Sequence, residues 1–420
     1  MNYLKILIFN DYAHIEGGAG KVAIESAIKL AEKGHEVIFF SAVGPIGQEL
    51  LKSQIKKIIC LGQSDLLNSS NKLSSAVSGI NNSQAVKKLK ELLSEWKPDI
   101  AHFHGVSKAL TWVPIKIINS NKIPSVYTLH DFGLLCPNMG LYNFKTGKPC
   151  DLYKNGKAVK CLFTNCDKRS YLQKLWRYFR FHYTKDTLRI YRKIDGFVAV
   201  SDFVKEMFSS YLPADKEIRV INNPVNKIDK TIVPEITQKH KTTFLYVGRL
   251  SAEKGVDLLL SAIREVDANL VIIGEGEILS LVKNTAGQLG NQKINILGWL
   301  DEQKIYEQIH SSDAIILPSK VMETAGMVVL EAARLTKPSI VANQGGPLDF
   351  VKDNLNGILF EAGNKNSLIS AMQQYIDDPL LSDKLGRNAR ESFEKFGYSI
   401  EHHISELENF YIKIINDFKA

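Results

Sequence analysis

The 420-residue chain has no uninterrupted apolar run near the roughly eighteen residues of a membrane-spanning helix, so no span is expected. Its opening, MNYLKILIFNDY, is too short in apolar residues and turns acidic too soon for a signal peptide. It reads as the first buried strand of a cytoplasmic protein. Extremes of composition are missing as well: 45% apolar and 23% charged residues exclude the disordered and fibrous classes. Cysteine is scarce, five in all, and no C-x2-C knuckle occurs. A P-loop is also absent, because around Gly17-Gly18-Ala19-Gly20-Lys21 an isoleucine, Ile15, stands where the first glycine belongs. Val22 stands where Ser or Thr would hold magnesium. Nor does this loop keep the G-x-G-x-x-G of a nicotinamide site.

What is present is an alternation of strand and helix signals along the whole chain, the pattern of parallel sheets with crossover helices. Leu4 to Phe9 reads as a strand, Gly17 to Gly20 as a loop, Lys21 to Lys33 as a helix and Glu36 to Ser41 as the next strand. Further strands are expected at Ile100 to Phe103, Ser125 to Leu129, Gly196 to Val200 and Arg219 to Ile221. After the polar stretch Lys227 to Lys241 a second series opens at Thr243. It continues through Leu270 to Ile273, Ile294 to Leu297, Ala314 to Leu317 and Ser339 to Val341. The length exceeds what one core serves, so the expectation is α/β, with two Rossmann-like, doubly wound domains. Ligands in such sheets bind at the carboxyl ends of the strands.

Two segments sit at such ends. The strand Asp313 to Leu317 runs into a turn at Pro318-Ser319, and a helix is expected from about Gly326 to just before Lys337-Pro338. The first amides of that helix, Met327 and Val328, would offer N–H groups to a phosphate or diphosphate. Glu323 before it and Glu331 within it could accept hydrogen bonds from sugar and ribose hydroxyls. Glutamates at helix starts also occur for dipole reasons alone. Upstream, the strand beginning at Thr243 ends in Gly248-Arg249, with Ser251 placed to cap a helix near Glu253 to Val256. Arg249 and Lys254 flank that loop as cations suited to a diphosphate.

These two blocks resemble the retaining glycosyltransferases of family 4, which have the GT-B fold. Glu323-Thr324-Ala325-Gly326-Met327-Val328-Val329-Leu330-Glu331-Ala332 is similar to the family's Glu-x7-Glu signature, with Thr324 and Ala325 in place of the commoner Gly and Phe. Val247-Gly248-Arg249-Leu250 with Glu253-Lys254-Gly255 matches its V-G-R-L-x-x-E-K-G at every fixed position. The resemblance implies a domain at 1–222 that faces the acceptor and a domain at 223–399 that binds the nucleotide sugar, with a cleft between them. A terminal helix within 400–420 would cross back to the first domain. It also implies that Arg249 and Lys254 hold the donor diphosphate, that Gly17 and Gly18 line the cleft, and that His130 in Leu129-His130-Asp131 meets the donor sugar. No cofactor is required for such catalysis. Taken alone, His130 follows a strand and occupies a carboxyl end, and a lone histidine is more often structural. His102 and His104 form an H-x-H that could bind metal but that strand alternation explains as well, the preferred reading, with His104 near the cleft.

The segment 132–193 is an insertion of unusual composition. Cys136, Cys150, Cys161 and Cys166 fall close together, and they read either as a structural zinc site of four thiolates or as reduced thiols packed in a loop. From Lys154 to Lys193 there are 12 Lys and Arg against 2 acids, while the whole chain is only +8. Aromatic residues interleave with these cations through residues 168–193. That pattern suits an anionic membrane surface, and a solvated face whose aromatics enter the core is the plainer alternative. The reading is a retaining hexosyltransferase-type enzyme of surface polysaccharide or glycan biosynthesis. It moves a sugar from a nucleotide-diphosphate donor to a saccharide or lipid-linked saccharide, with Glu323 and His130 at the reacting sugar. It is peripheral to the inner face of the membrane and has no nucleic-acid partner. Another GT-B enzyme, such as a UDP-sugar 2-epimerase, or a non-catalytic saccharide-binding module are the alternatives.

Overall fold

A computed structural model describes residues 3–64, 79–106, 109–152, 157–225, 241–290 and 292–419. The polar stretch expected from Lys227 to Lys241 lies outside them except for Lys241, as does Lys154 of the basic segment. The chain forms two compact units. Unit 1 comprises Met1–Leu141, Asp151–Pro224 and Ile400–Ala420, and unit 2 comprises Tyr142–Cys150 and Val225–Ser399.

Unit 1 is built on strands β1 (Lys5–Phe9), β2 (Glu36–Val43), β3 (Lys57–Gln63), β4 (Ile100–Phe103), β5 (Ser125–Leu129), β8 (Gly196–Ala199) and β9 (Glu217–Val220). They form one seven-stranded parallel sheet in the order β3-β2-β1-β4-β5-β8-β9. The central strands are buried on both faces, which is why they read as largely apolar runs. β3 is a half-exposed edge and carries no such signal. Helix α1 (Gly17–Glu32) begins four residues earlier than the sequence pattern indicates. Gly17 adopts a φ of 74°, so it makes the turn itself, and Gly18 and Gly20 belong to the first turn of the helix instead of a loop.

Unit 2 carries a six-stranded parallel sheet ordered β12-β11-β10-β13-β14-β15. Its strands are β10 (Thr243–Val247), β11 (Asn269–Ile273), β12 (Ile294–Gly298), β13 (Ala314–Leu317), β14 (Ser339–Ala342) and β15 (Gly357–Phe360). A small antiparallel hairpin, β6 (Tyr142–Asn143) and β7 (Lys148–Pro149), also belongs to this unit, so the insertion does not lie wholly with the first. Five further helices are used below: α2 (Ala158–Phe163), α3 (Tyr171–His182), α4 (Val256–Ile263), α5 (Met327–Arg334) and α6 (Ile400–Lys419).

Helix α6 closes the core of unit 1. Ile404, Leu407, Phe410, Tyr411 and Ile414 are buried with Ile6, Ile8, Val126 and Val198 of the sheet. Gly196 makes this approach feasible, because a Cβ there would stand 2.6 Å from Ile414 Cδ1 and 2.8 Å from Phe410 Cζ. Buried polar groups fasten the same helix. His102 Nδ1 meets the Tyr411 hydroxyl at 2.5 Å while His102 Nε2 meets Thr128 Oγ1 at 2.7 Å. His403 donates through Nδ1 to the Asn222 carbonyl at 2.8 Å, and its Nε2 lies 3.1 Å from Ser26 Oγ.

Burial pushes His102 and His104 well below the ordinary imidazole range and His403 down to about 4. These groups stay neutral in the folded chain, whereas the unfolded chain takes up their protons near pH 6.5. The unfolded state therefore binds more protons as pH falls, and stability drops from about pH 6.5 downward, by up to about 1.4 kcal/mol per pH unit for each imidazole. The lowered carboxylates Glu323 and Glu408 act only further down, as pH falls through their own folded values. Urea unfolding midpoints should decline steadily between pH 7 and pH 5. A flat midpoint across that interval would mean that the imidazoles ionise in the fold without cost.

Candidate functional site

In unit 2 the sheet changes direction at β10, whose neighbours are β11 on one side and β13 on the other. Phe244 pairs with Ala314 and Leu245 with Ile315, so the loops that leave β10 and β13 emerge side by side at their carboxyl ends. The first carries Arg249 and Lys254, and the second carries Glu323 and the start of α5. Parallel pairing thus converts two motifs some seventy residues apart into neighbours.

The contact itself is direct. Lys254 Nζ stands 2.6 Å from Glu323 Oε1, and Ser319 Oγ donates to the same oxygen at 2.5 Å. Burial works to raise the Glu323 pKa, but the Lys254 cation, the hydrogen bonds from Lys254 and Ser319, and the charge of Arg249 outweigh it, so the carboxyl lies below its ordinary range. Arg249 keeps a side chain that is 63% exposed while one nitrogen reaches Glu253 Oε1 at 3.0 Å, and Glu253 is itself buried. Its guanidinium is therefore aimed by a carboxylate yet open to solvent. Lys320, on the β13 loop, pairs with Asp257 Oδ2 at 2.6 Å.

The two loops touch through backbone as well. Lys320 N–H donates to the Glu253 carbonyl at 2.9 Å. Gly255 passes so close to the other loop that a Cβ would lie 1.8 Å from the Pro318 carbonyl oxygen, and its φ is 73°. Only glycine fits there. That constraint corrects the expected cap: Ser251 makes no capping bond, Ala252–Lys254 form a 3-10 turn, and α4 starts at Val256 with Gly255 as its left-handed N-cap.

Helix α5 begins at Met327 behind Gly326, which has a φ of 70° and packs where a Cβ would meet Pro347 at 2.7 Å. The amides of Met327 and Val328 occupy the first turn, where no carbonyl of the same helix can reach them. Glu331 stands one turn further in, half-buried. Three residues that motif reading missed hold the Glu323 loop. Gln344 Nε2 donates to the Ser319 carbonyl at 2.7 Å, Gly346 N–H donates to the Glu323 carbonyl at 2.8 Å, and a Cβ on Gly345 would sit 2.7 Å from that carbonyl oxygen. The run Gln344-Gly345-Gly346-Pro347 carried a turn signal and nothing that linked it to Glu323. The hairpin β6–β7 contributes Tyr142, whose hydroxyl is pushed up by burial and by the carboxylates of Asp257 and Glu253.

In unit 1, His130 follows β5 and its Nε2 lies 2.9 Å from Nδ1 of His104, which follows β4. Burial, aided by the charge of His403, lowers His130 to about 3, so its imidazole is neutral across the physiological range. Gly17 and Gly18 start α1 at the end of β1.

Among the described residues no group of three or more His, Cys, Asp or Glu side chains is placed to hold a metal ion. Cys136 and Cys166 are buried and meet through Asn138, which accepts from Cys136 Sγ at 3.0 Å and donates to Cys166 Sγ at 3.4 Å. Cys161 lies on α2, and Cys150 belongs to unit 2. Helix α3 shows one buried side chain, Lys174, whose ammonium donates to the carbonyls of Cys161 and Leu162 at the end of α2. Tyr171, Trp176, Tyr178 and Phe181 are half-buried, while Leu172 and Phe179 are 78% and 62% exposed.

The Glycosyltransferase Family 4 model matches residues 16–227, and the Glycosyl transferases group 1 model matches residues 228–392. An uncharacterized glycosyltransferase of Methanocaldococcus jannaschii is 28% identical over 305 residues, 72% of this chain and 80% of that protein. An Escherichia coli UDP-Gal:alpha-D-GlcNAc-diphosphoundecaprenol alpha-1,3-galactosyltransferase is 26% identical over 222 residues, 51% of this chain and 56% of that enzyme. The Anabaena protein HepE, solved in complex with UDP-glucose, superimposes with a TM-score of 0.67 at 16% identity, covering 98% of this chain and all of that one. With two parallel-sheet α/β units of GT-B type and family models that together span residues 16–392, the chain belongs to Glycosyltransferase Family 4 and is a glycosyltransferase.

Proposed function

We propose that this enzyme transfers a hexose from a nucleoside-diphosphate sugar to a hydroxyl of a saccharide acceptor, lipid-linked in the cell, with retention at the anomeric carbon. The Lys254–Glu323 contact at the switch point of unit 2 carries the reading. In it Arg249, Lys254 and the first amides of α5 take the diphosphate, Glu323 takes sugar hydroxyls and Glu331 the ribose. His130, neutral and at a strand end, bonds a sugar hydroxyl.

As the anomeric C–O bond breaks, negative charge collects on the departing diphosphate. Preorganised cations and amides lower the barrier there most. The acceptor hydroxyl attacks from the face that the diphosphate leaves, and its proton passes to a diphosphate oxygen, so no separate base is needed. Lys254 is held by Glu323 before the donor arrives and is thereby already aimed. The HepE complex with UDP-glucose supports a donor of this class, and the name of the Escherichia coli relative supports a lipid-diphosphate acceptor.

An acceptor of that kind lies at a bilayer, and helices α2 and α3 suit one. Val159, Phe163, Leu172, Phe179 and Tyr183 are all exposed, and Lys157, Lys160 and Arg169 are exposed among them. Leu172, Phe179 and Tyr183 recur at seven and four positions, one helical side. No helix among the described residues is long and apolar enough to cross a membrane, so attachment would be peripheral.

Mass spectrometry of nucleotides retained through purification should identify the donor. With that donor, R249Q, which alters an exposed side chain, should lower kcat/KM for hydrolysis by about 100-fold or more at unchanged melting temperature, and E323Q should lower it as much. Parent-like turnover in both would remove the diphosphate grip. On phosphatidylglycerol vesicles, replacing Leu172 and Phe179 together by serine should weaken sedimentation binding by about tenfold or more, since each side chain contributes about 1.5–3 kcal/mol when buried. Equal binding by both proteins would exclude α3 as the membrane contact.

A further inference from the structure

The histidines at the carboxyl ends of β4 and β5 are in contact, and His104 keeps one nitrogen without a partner among the described residues. His104 is 1% exposed, its Nδ1 lies 2.9 Å from His130 Nε2, and its Nε2 is buried with no hydrogen-bond partner among the described residues. A neutral imidazole carries one proton, on one nitrogen or the other. Were it on His104 Nε2, a buried N–H would face no acceptor, which folded proteins seldom tolerate. An unpaired acceptor is less rare than an unpaired donor. The proton therefore belongs on Nδ1, where its acceptor is His130 Nε2.

We infer that His104 is a positioning residue that fixes His130 in the tautomer protonated at Nδ1. The consequence reaches the ligand. His130 then has Nε2 committed as an acceptor inside the unit and carries its N–H at Nδ1, so any bond it makes to a sugar oxygen is one that it donates. The ring of His104 is itself confined, with His102 at 4.1 Å between centroids and His130 at 5.2 Å. His102 is in turn held at both nitrogens, by Tyr411 and Thr128. A second donor type in place of His104, an asparagine amide reaching to about the position of Nδ1, would preserve the arrangement. Phenylalanine would not.

The role assigned to His130 rests on the proposed function, whereas the tautomer is read on the protein without any donor sugar, so the two can fail separately. Nitrogen-15 NMR of histidine-labelled enzyme at pH 7 should show His130 with a protonated Nδ1 and an unprotonated Nε2. In H104F that signature should be lost, and in H104N it should persist. With the identified donor, H104F should lower kcat by about tenfold or more with little change in KM, and H104N should recover most of the loss. Protonation of His130 at Nε2 in the parent protein overturns the inference, and that measurement stands even where H104F fails to fold. Equal kcat in H104F and H104N, both folded, overturns it as well.

Discussion

A lysine and a glutamate that meet at 2.6 Å organise unit 2. Neither residue could be where it is without the parallel pairing of β10 and β13, which releases two loops at one edge. A half-buried ion pair of this kind gains little net stability, because desolvation offsets much of the Coulomb attraction. Its value is orientation. The carboxylate stays ionised at physiological pH, and the ammonium is held next to a helix start that attracts negative charge. The glycines around it serve the same end. Gly255 lets one loop pass against Pro318, and Gly345 lets another pass against the backbone of Glu323.

Much of the fold was legible because strands buried on both faces leave continuous apolar runs. Ile100–Phe103, Ser125–Leu129 and Ala314–Leu317 match their expected bounds for that reason. The edge strand Lys57–Gln63 escaped notice, since a half-exposed strand mixes charged and apolar residues. Two-residue strands in the insertion offer no period to detect. In the site, Arg249, Lys254, Glu323 and Gly326 stood out as types and spacings, whereas Ser319, Gln344 and Gly345 did not. Their roles arise from contacts between segments far apart in sequence. The Ser251 cap went wrong in the same way: local preference favoured it, and the close passage of Gly255 past Pro318 decided otherwise.

The insertion puts its thiols and cations to internal use. Cys136 and Cys166 share the side-chain amide of Asn138 as small buried groups. Lys174 is buried for a comparable reason, since its ammonium satisfies the last carbonyls of α2 and so joins two short helices that have little core of their own. The basic count of the segment overstates its free charge by such internal uses.

Gly196 and the helix it admits have a consequence for how the polypeptide comes together on the ribosome. The sheet of unit 1 is finished at Val220, but the side chains that cover one of its faces lie at Ile404 through Ile415. Every residue of β10 through β15 has to be synthesised in between. Until then the nascent sheet keeps an uncovered apolar face, so the core of unit 1 cannot close before α6 has been made, after the whole of unit 2.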